Sequence, residues 1–396
     1  MDPIRNPYAP GAGTQPPELA GRDELLQTID IALQRIRLGR PAKSILMVGL
    51  RGVGKTVLLD RMCQKAIKEG METLRIEAPE GRSLPGILAP QIRTALLKFS
   101  RSEQAKDLAI RGLRAIAGLV KGLKVKYNDI EVGIDYEAEP GLADNGDLGQ
   151  DLQALLELAG RAAAKADTAL ILFIDELQYV KEEQLAALIT ALHRIAQANL
   201  PLTMVGAGLP QLRGQMGNAK SYAERLFDFV EVGALGPVAA REAIGNPAIE
   251  EGASFTPAAL DEIILETKGY PYFLQEWGKH AWNVASKSPI TIEDVKTATV
   301  ETIAALDESF FRVRLDRLRP FERKYLRAMA ELGSGPHRSS DIANVLGRKV
   351  TELGPHRNSL IVKGMIFSPS HGDTAFTVPL FDEFMKRSMP GDDWKN

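Results

Sequence analysis

Short strand-like segments recur through the first half of the chain, at 44–49, 72–77, 169–174 and 202–206. The stretches between them place apolar residues at helical spacing, so strands alternate with helices. The segment 169–174 is apolar at every position and needs cover on both faces. The pattern therefore predicts an α/β fold of three layers, a mostly parallel sheet between helices. An amphipathic helix carrying Leu26, Ile29, Ile31, Leu33 and Ile36 leads into the first strand.

The rest of the chain departs from this alternation. Residues 1–17 are rich in Pro and Gly and predict a flexible N-terminal arm. An insertion at about 91–150 begins with a helix-compatible stretch, Gln91 to Lys126, that holds 9 basic and 2 acidic residues. Around Asn128-Asp129, apolar and polar residues alternate from Lys124 to Tyr136, as a β-hairpin requires. The 8 acidic residues from Asn128 to Asp151 either neutralise the basic helix or leave it for a partner. After Pro237 the periodicity is helical, predicting a small lid at 237–307, a C-terminal module at 308–390 and a tail at 391–396.

One turn carries chemistry. Ser44-Ile45-Leu46-Met47-Val48 runs into Gly49-Leu50-Arg51-Gly52-Val53-Gly54-Lys55-Thr56, and a helix-forming stretch follows from Val57. Backbone N–H groups can wrap a polyphosphate only where side chains do not block its approach, which explains glycine at 49, 52 and 54. Gly49, Gly52, Val53, Gly54, Lys55, Thr56 and Val57 are the expected nucleotide contacts. Lys55 would reach the β- and γ-phosphates and the Thr56 hydroxyl would hold Mg²⁺. The apolar run 169–174 ends in Asp175-Glu176, at the sheet edge where open α/β sheets bind ligands. Asp175 is expected to complete the Mg²⁺ site, and Glu176 to polarise an attacking water as general base.

Leu19-Ala20-Gly21-Arg22-Asp23-Glu24, the glycine-rich loop, Ile174-Asp175-Glu176-Leu177-Gln178 and Lys268-Gly269-Tyr270-Pro271-Tyr272-Phe273-Leu274 together resemble the AAA+ superfamily over about residues 17–390. The likeness is to its origin-recognition, archaeal-type and STAND signalling branches. The resemblance implies a P-loop NTPase base at 18–236, ATP as nucleotide, Arg22 beside the adenine and Pro271 at the hinge between base and lid. It also implies an arginine finger at Arg225, offered to the next subunit of a homo-oligomer, while local pairing with Glu224 or Asp228 is the alternative. The family's polar sensor at the end of the strand 202–206 has no counterpart in Gly206-Ala207-Gly208, and Arg213 is the nearest substitute.

Charge sharpens the reading of the C-terminal module. The whole chain carries −2, yet Phe310 to Ser388 holds 14 Lys and Arg against 8 Asp and Glu. Residues 318–388 read as three helices and two strands, with Pro355 tolerable only in the first turn of the third helix. This resembles a winged-helix domain, which implies double-stranded DNA as partner. Thr351, His356, Arg357, Asn358 and Lys363 would then face the major groove, with Arg348, Lys349 and His371 at phosphates. The alternative is a signalling or defence-system switch whose winged helix docks a protein. No apolar run approaches the ~18 residues of a membrane span. The lone Cys63 and the absence of a secretory pattern predict a cytoplasmic protein.

Overall fold

Apolar runs without alternation become buried parallel strands. In the computed structural model, which describes every residue except 12, 79, 80, 131, 132, 134, 135 and 396, contacts divide the chain into two units. One comprises Glu24–Val48 and Lys55–Glu231, the other Met1–Asp23, Gly49–Gly54 and Val232–Asn396.

The first unit is built on β1 (Ser44–Val48), β2 (Glu72–Glu77), β3 (Leu170–Asp175), β4 (Leu202–Gly208) and β5 (Phe227–Glu231), parallel throughout and ordered β2-β3-β4-β1-β5. Every residue of β1, β3 and β4 is buried, whereas edge strand β5 is only partly so. β5, Phe227-Asp228-Phe229-Val230-Glu231, is a strand that the sequence pattern did not predict. The helices are α1 (Asp23–Arg37), α2 (Lys55–Lys68), α3 (Leu84–Phe99), α4 (Lys106–Leu123), α5 (Leu148–Lys165), α6 (Glu182–Gln197), α7 (Leu212–Ala219) and α8 (Ala223–Leu226).

The insertion belongs to this core. Helices α3 and α4 bury Ile92, Leu96, Leu113, Ile116 and Leu123 with Leu152 and Leu156 of α5. Its charges largely cancel: Arg111 and Arg114 of α4 meet Glu139 at 3.2 and 3.8 Å, and Lys98 meets Glu72 at 2.6 Å. The expected hairpin falls in part on 131, 132, 134 and 135, outside the described residues. At its expected turn, Asp129 instead accepts hydrogen bonds from the Ser83 N–H and hydroxyl at the start of α3, both at 2.7 Å.

The second unit is helical with one small sheet. Helices α9 (Pro237–Glu250), α10 (Pro257–Thr267), α11 (Pro271–Val284) and α12 (Ile292–Leu306) are followed by a π-helical turn, Asp307–Phe311, that runs on into α13 (Arg312–Asp316). Then come α14 (Pro320–Leu332), β6 (His337–Arg338), α15 (Ser339–Leu346), α16 (Val350–Val362), β7 (Ile366–Phe367), β8 (Asp373–Phe376) and α17 (Phe381–Ser388). The strands form an antiparallel sheet ordered β6-β8-β7. An expected boundary at 307/308 therefore lies inside an uninterrupted helical run. Phe311 stacks on Phe384 of α17 at 5.1 Å, and Arg387 pairs with Asp307 at 2.8 Å, so one apolar core serves both sides of that boundary. Among the described residues no helix is long and apolar enough to cross a membrane.

Two expectations are corrected here. The N-terminal arm is anchored where Tyr8, 3% exposed, packs on Gly278 of α11 and donates its hydroxyl to the Ile244 carbonyl. A Cβ at Gly278 would lie 2.8 Å from the Tyr8 ring, so the glycine makes the seat for it. Pro355 is in the second turn of α16, where its missing N–H leaves the Thr351 carbonyl without its intrahelical partner.

A buried ion pair ties α16 to α14. Glu322, 1% exposed, accepts from Lys363 at 2.6 Å, from the Ser359 hydroxyl at 2.7 Å and from the Arg319 N–H at 2.8 Å. Burial pushes its carboxyl up, but these three donors outweigh burial and hold it below the usual carboxylate range.

Replacing Tyr8 by Ala should destabilise the intact protein by roughly 3 kcal/mol, read as a fall in the thermal midpoint. An unchanged midpoint would show that the arm adds nothing to stability. Lys363→Ala should cost about 3 kcal/mol at neutral pH, because it leaves a buried carboxylate without its cation. The folded carboxyl titrates below the unfolded one, so its contribution is complete above about pH 4.3 and is lost as the pH falls through the lower folded value. Urea unfolding of wild type and Lys363→Ala should therefore converge in acid, and a pH-independent gap would count against this account.

Candidate functional site

The glycine-rich loop is shaped by close contacts within its own unit. A Cβ at Gly49 would stand 2.1 Å from the Val232 carbonyl oxygen, so only glycine lets the two backbones pass. Gly52 and Gly54 have φ of 79° and 91°, the left-handed region that turns successive N–H groups towards one concavity. Around a Cβ built on Gly54 nothing lies within 4 Å, so backbone conformation alone demands glycine there. The Val53 side chain is buried at 1% exposure and leaves only its backbone for a ligand.

Hydrogen bonds hold the loop. The Tyr272 N–H donates to the Gly52 carbonyl at 3.0 Å, and the Arg51 N–H donates to the Thr377 carbonyl at 2.9 Å. The Arg22 guanidinium donates to the carbonyls of Gly233 at 2.5 Å and Val53 at 3.3 Å. Arg22, expected beside the adenine, is thus engaged with loop and strand-end backbone, and burial lowers its pKa. Pro271 acts through geometry. It is the first residue of α11, where a missing N–H is harmless, and it sets the helix start that aims the Tyr272 N–H at Gly52.

The chain leaves the loop directly into α2. Lys55 is its first residue and 8% exposed, and Thr56 and Val57 are half-buried beside it. A helix of 14 residues presents partial positive charge at that end, which favours an anion.

The carboxylates sit at the end of β3. Asp175 is 3% exposed, accepts the Glu176 N–H at 2.9 Å through Oδ1, and lies 3.5 Å through Oδ2 from the Arg75 guanidinium. Arg75, near the end of neighbouring β2, also pairs with Asp60 of α2 at 2.5 Å. Glu176 turns the chain with φ 55° and ψ 34°, uncommon for a residue with a side chain. The Gln178 amide, 7% exposed, donates from Nε2 to Glu176 Oε2 and accepts the Leu209 N–H at 3.0 Å. Sequence reasoning gave no role to Arg75 or Gln178. Gln178 stands in the motif that follows β3, whereas nothing in the polar strand β2 distinguishes Arg75.

This donor set fits a nucleotide with Mg²⁺. Within one unit, α2 offers Lys55 and the Thr56 hydroxyl, and β3 offers Asp175. Among the described residues no group of three or more His, Cys, Asp or Glu is placed to hold a metal alone. Mg²⁺ characteristically takes one or two protein groups, water and substrate phosphates, so the set is sufficient.

Other expected residues are scattered. Arg225 is exposed on α8 and has no ion pair among the described residues, while Asp228, its expected local partner, meets Lys43 at 2.9 Å. Arg213 lies over the Phe229 ring at 5.4 Å. Of the expected DNA contacts, Lys349, Thr351, Asn358 and His371 are exposed, and Arg348 is exposed while facing Glu352 at 3.8 Å. The other three are engaged internally. Arg357 donates to the Thr374 hydroxyl, the Ser368 hydroxyl and the Asp373 carbonyl at 2.9–3.0 Å. His356 packs on Phe321 with ring centres 4.3 Å apart, and the half-buried Lys363 pairs with buried Glu322. Charge and spacing placed these residues on one helix but could not reveal that other elements claim them.

Comparison with known proteins places the chain. A family model described as AAA ATPase domain matches residues 18–205, and one described as domain of unknown function matches 308–385. No match was found among curated proteins. Among solved structures, the Walker-type ATPase paby2304 of Pyrococcus abyssi is similar at 17% identity with a TM-score of 0.58, covering 94% of this chain and 97% of that one. The Aeropyrum pernix Orc1 protein in complex with DNA aligns at 16% identity and TM-score 0.48, covering 97% and 96%. A RuvB variant of Thermotoga maritima aligns at 17% identity and 0.45, covering 90% and 93%. Family match, parallel sheet and glycine-rich loop agree: residues 18–205 match the AAA ATPase domain family, and the fold is that of an α/β P-loop NTPase.

Proposed function

We propose that this protein binds ATP with Mg²⁺, hydrolyses it, and uses the nucleotide state to set its C-terminal module. The observation that carries this reading is the bond from the Arg51 N–H of the phosphate loop to the Thr377 carbonyl of that module. Thr377 is wholly buried and donates its own N–H to the Met365 carbonyl at 3.0 Å, next to β7. A loop that moves to wrap phosphate thus pulls on the small sheet, and through Tyr272 on α11.

The chemistry follows from the side chains. Lys55 neutralises phosphate charge, while Thr56 and Asp175 hold the cation. A Mg²⁺ ion held there would supply further neutralisation of phosphate charge. Glu176 accepts the proton of the attacking water, and Arg75 keeps the Asp175 carboxylate oriented. Exposed Arg225 is available to a neighbouring subunit's phosphates in a homo-oligomer, the role an arginine finger fills.

For the output, the basic balance of 310–388 supports double-stranded DNA. With His356, Arg357 and Lys363 engaged internally, Arg348, Lys349 and His371 at phosphates would dominate, giving weak sequence preference and steep salt dependence. That same internal engagement favours a second reading, in which the winged-helix-like module docks a partner protein. The lone buried Cys63 fits either role in the cytoplasm.

Lys55→Ala should abolish binding of a fluorescent ATP analogue. Glu176→Gln should keep that binding and lower turnover by roughly a hundredfold or more, and wild-type turnover in this variant would remove Glu176 from the mechanism. Gel shifts on unrelated duplexes at low and moderate salt test the output, and no salt-sensitive shift with or without ATP would exclude DNA.

A further inference from the structure

The strand β4 ends without a polar side chain, yet the space beside it is not apolar. A Cβ at Gly206 would fall 2.4 Å from Leu177 Cδ1 and 2.6 Å from Leu46 Cδ2, and one at Gly208 would fall 2.8 Å from Gln178 Oε1. The two glycines therefore make room for the short turn Leu177–Tyr179 that follows β3. The polar group at this position comes from that turn.

We propose that Gln178 is a positioning residue for Glu176, holding the general base and tying it to the end of β4; the proposal rests on the ATPase reading above. The amide uses both ends. Its Nε2 donates to Glu176 Oε2, and its Oε1 accepts the N–H of Leu209, which is 1% exposed. The Gln178 carbonyl also accepts from Gln215 Nε2 of α7 at 3.3 Å, so both main chain and side chain of this residue are fixed. A carboxylate needs a donor and a buried N–H needs an acceptor, and among side chains of this length an uncharged amide supplies both at once. Glutamate would keep the acceptor but set a like charge against Glu176. Leucine would fill the space but leave the Leu209 N–H buried without a partner.

Two variants separate these roles. In Gln178→Leu, exchange of the Leu209 amide should quicken and kcat should fall by roughly tenfold or more, with Mg-ATP affinity nearly unchanged, because the base and not the substrate loses its orientation. In Gln178→Glu, exchange of the Leu209 amide should stay near wild type while kcat falls similarly, because the acceptor is kept and the donor to Glu176 is lost. A purely structural role predicts the reverse, kcat following the thermal midpoint in both variants. Turnover in Gln178→Glu within about twofold of wild type overturns the positioning role and leaves the ATPase reading intact. Wild-type protein that binds Mg-ATP without turnover overturns the ATPase reading and the positioning role with it. Unchanged Leu209 exchange in Gln178→Leu overturns the tether to β4 whatever the turnover.

Discussion

A strand buried on both faces cannot keep a charge within it, and this constraint organises the C-terminal edge of the sheet. In β3 the first polar residue comes where the sheet ends, and even there Asp175 is only 3% exposed. A carboxylate so shielded needs a counter-charge or a cation. Arg75 supplies the counter-charge from β2, and its bond to Asp60 fixes it to the helix that begins with Lys55. Two layers are thereby joined at the point where phosphate charge would arrive. Had the strand surfaced one residue earlier, Asp175 would be solvated and its orientation left to water.

The loop obeys a steric counterpart of the same rule. Gly49 passes the Val232 carbonyl at a distance no side chain tolerates, and the next residues are held by carbonyls and N–H groups of α11 and the segment after β8. The loop is therefore part of the packing of its unit before any ligand arrives. The continuous run from α12 through the π-helical turn to α13, with Phe311 on Phe384, gives that unit a single core.

What could be read from the chain divides along a physical line. The glycine-rich loop and Asp175-Glu176 were legible because their chemistry is local: spacing alone decides which N–H groups converge and which carboxylates follow a buried strand. The parallel sheet was legible from the alternation of strands with helices, but β5 follows the four-residue α8 directly and falls outside that alternation. Arg75 with Asp175, Tyr8 with Gly278 and Lys363 with Glu322 are pairings over long separations, and no periodicity encodes them. Three residues of the expected DNA-reading face are engaged elsewhere for this reason. Arg357 and His356 do belong to α16, but the strand β8 and the helix α14 already hold them. Arg22, expected beside the adenine, bonds instead to the Val53 and Gly233 carbonyls, contacts that no local spacing encodes.

The bond between Arg51 and Thr377 has a thermodynamic corollary if phosphate displaces the loop. Binding free energies are reciprocal: whatever factor a nucleotide imposes on the module's affinity for its partner, the partner must impose on the affinity for nucleotide. A duplex or protein that grips the small sheet would then act as a nucleotide-exchange or nucleotide-retention factor without approaching the phosphates. The partner would regulate the protein as much as it is regulated by it.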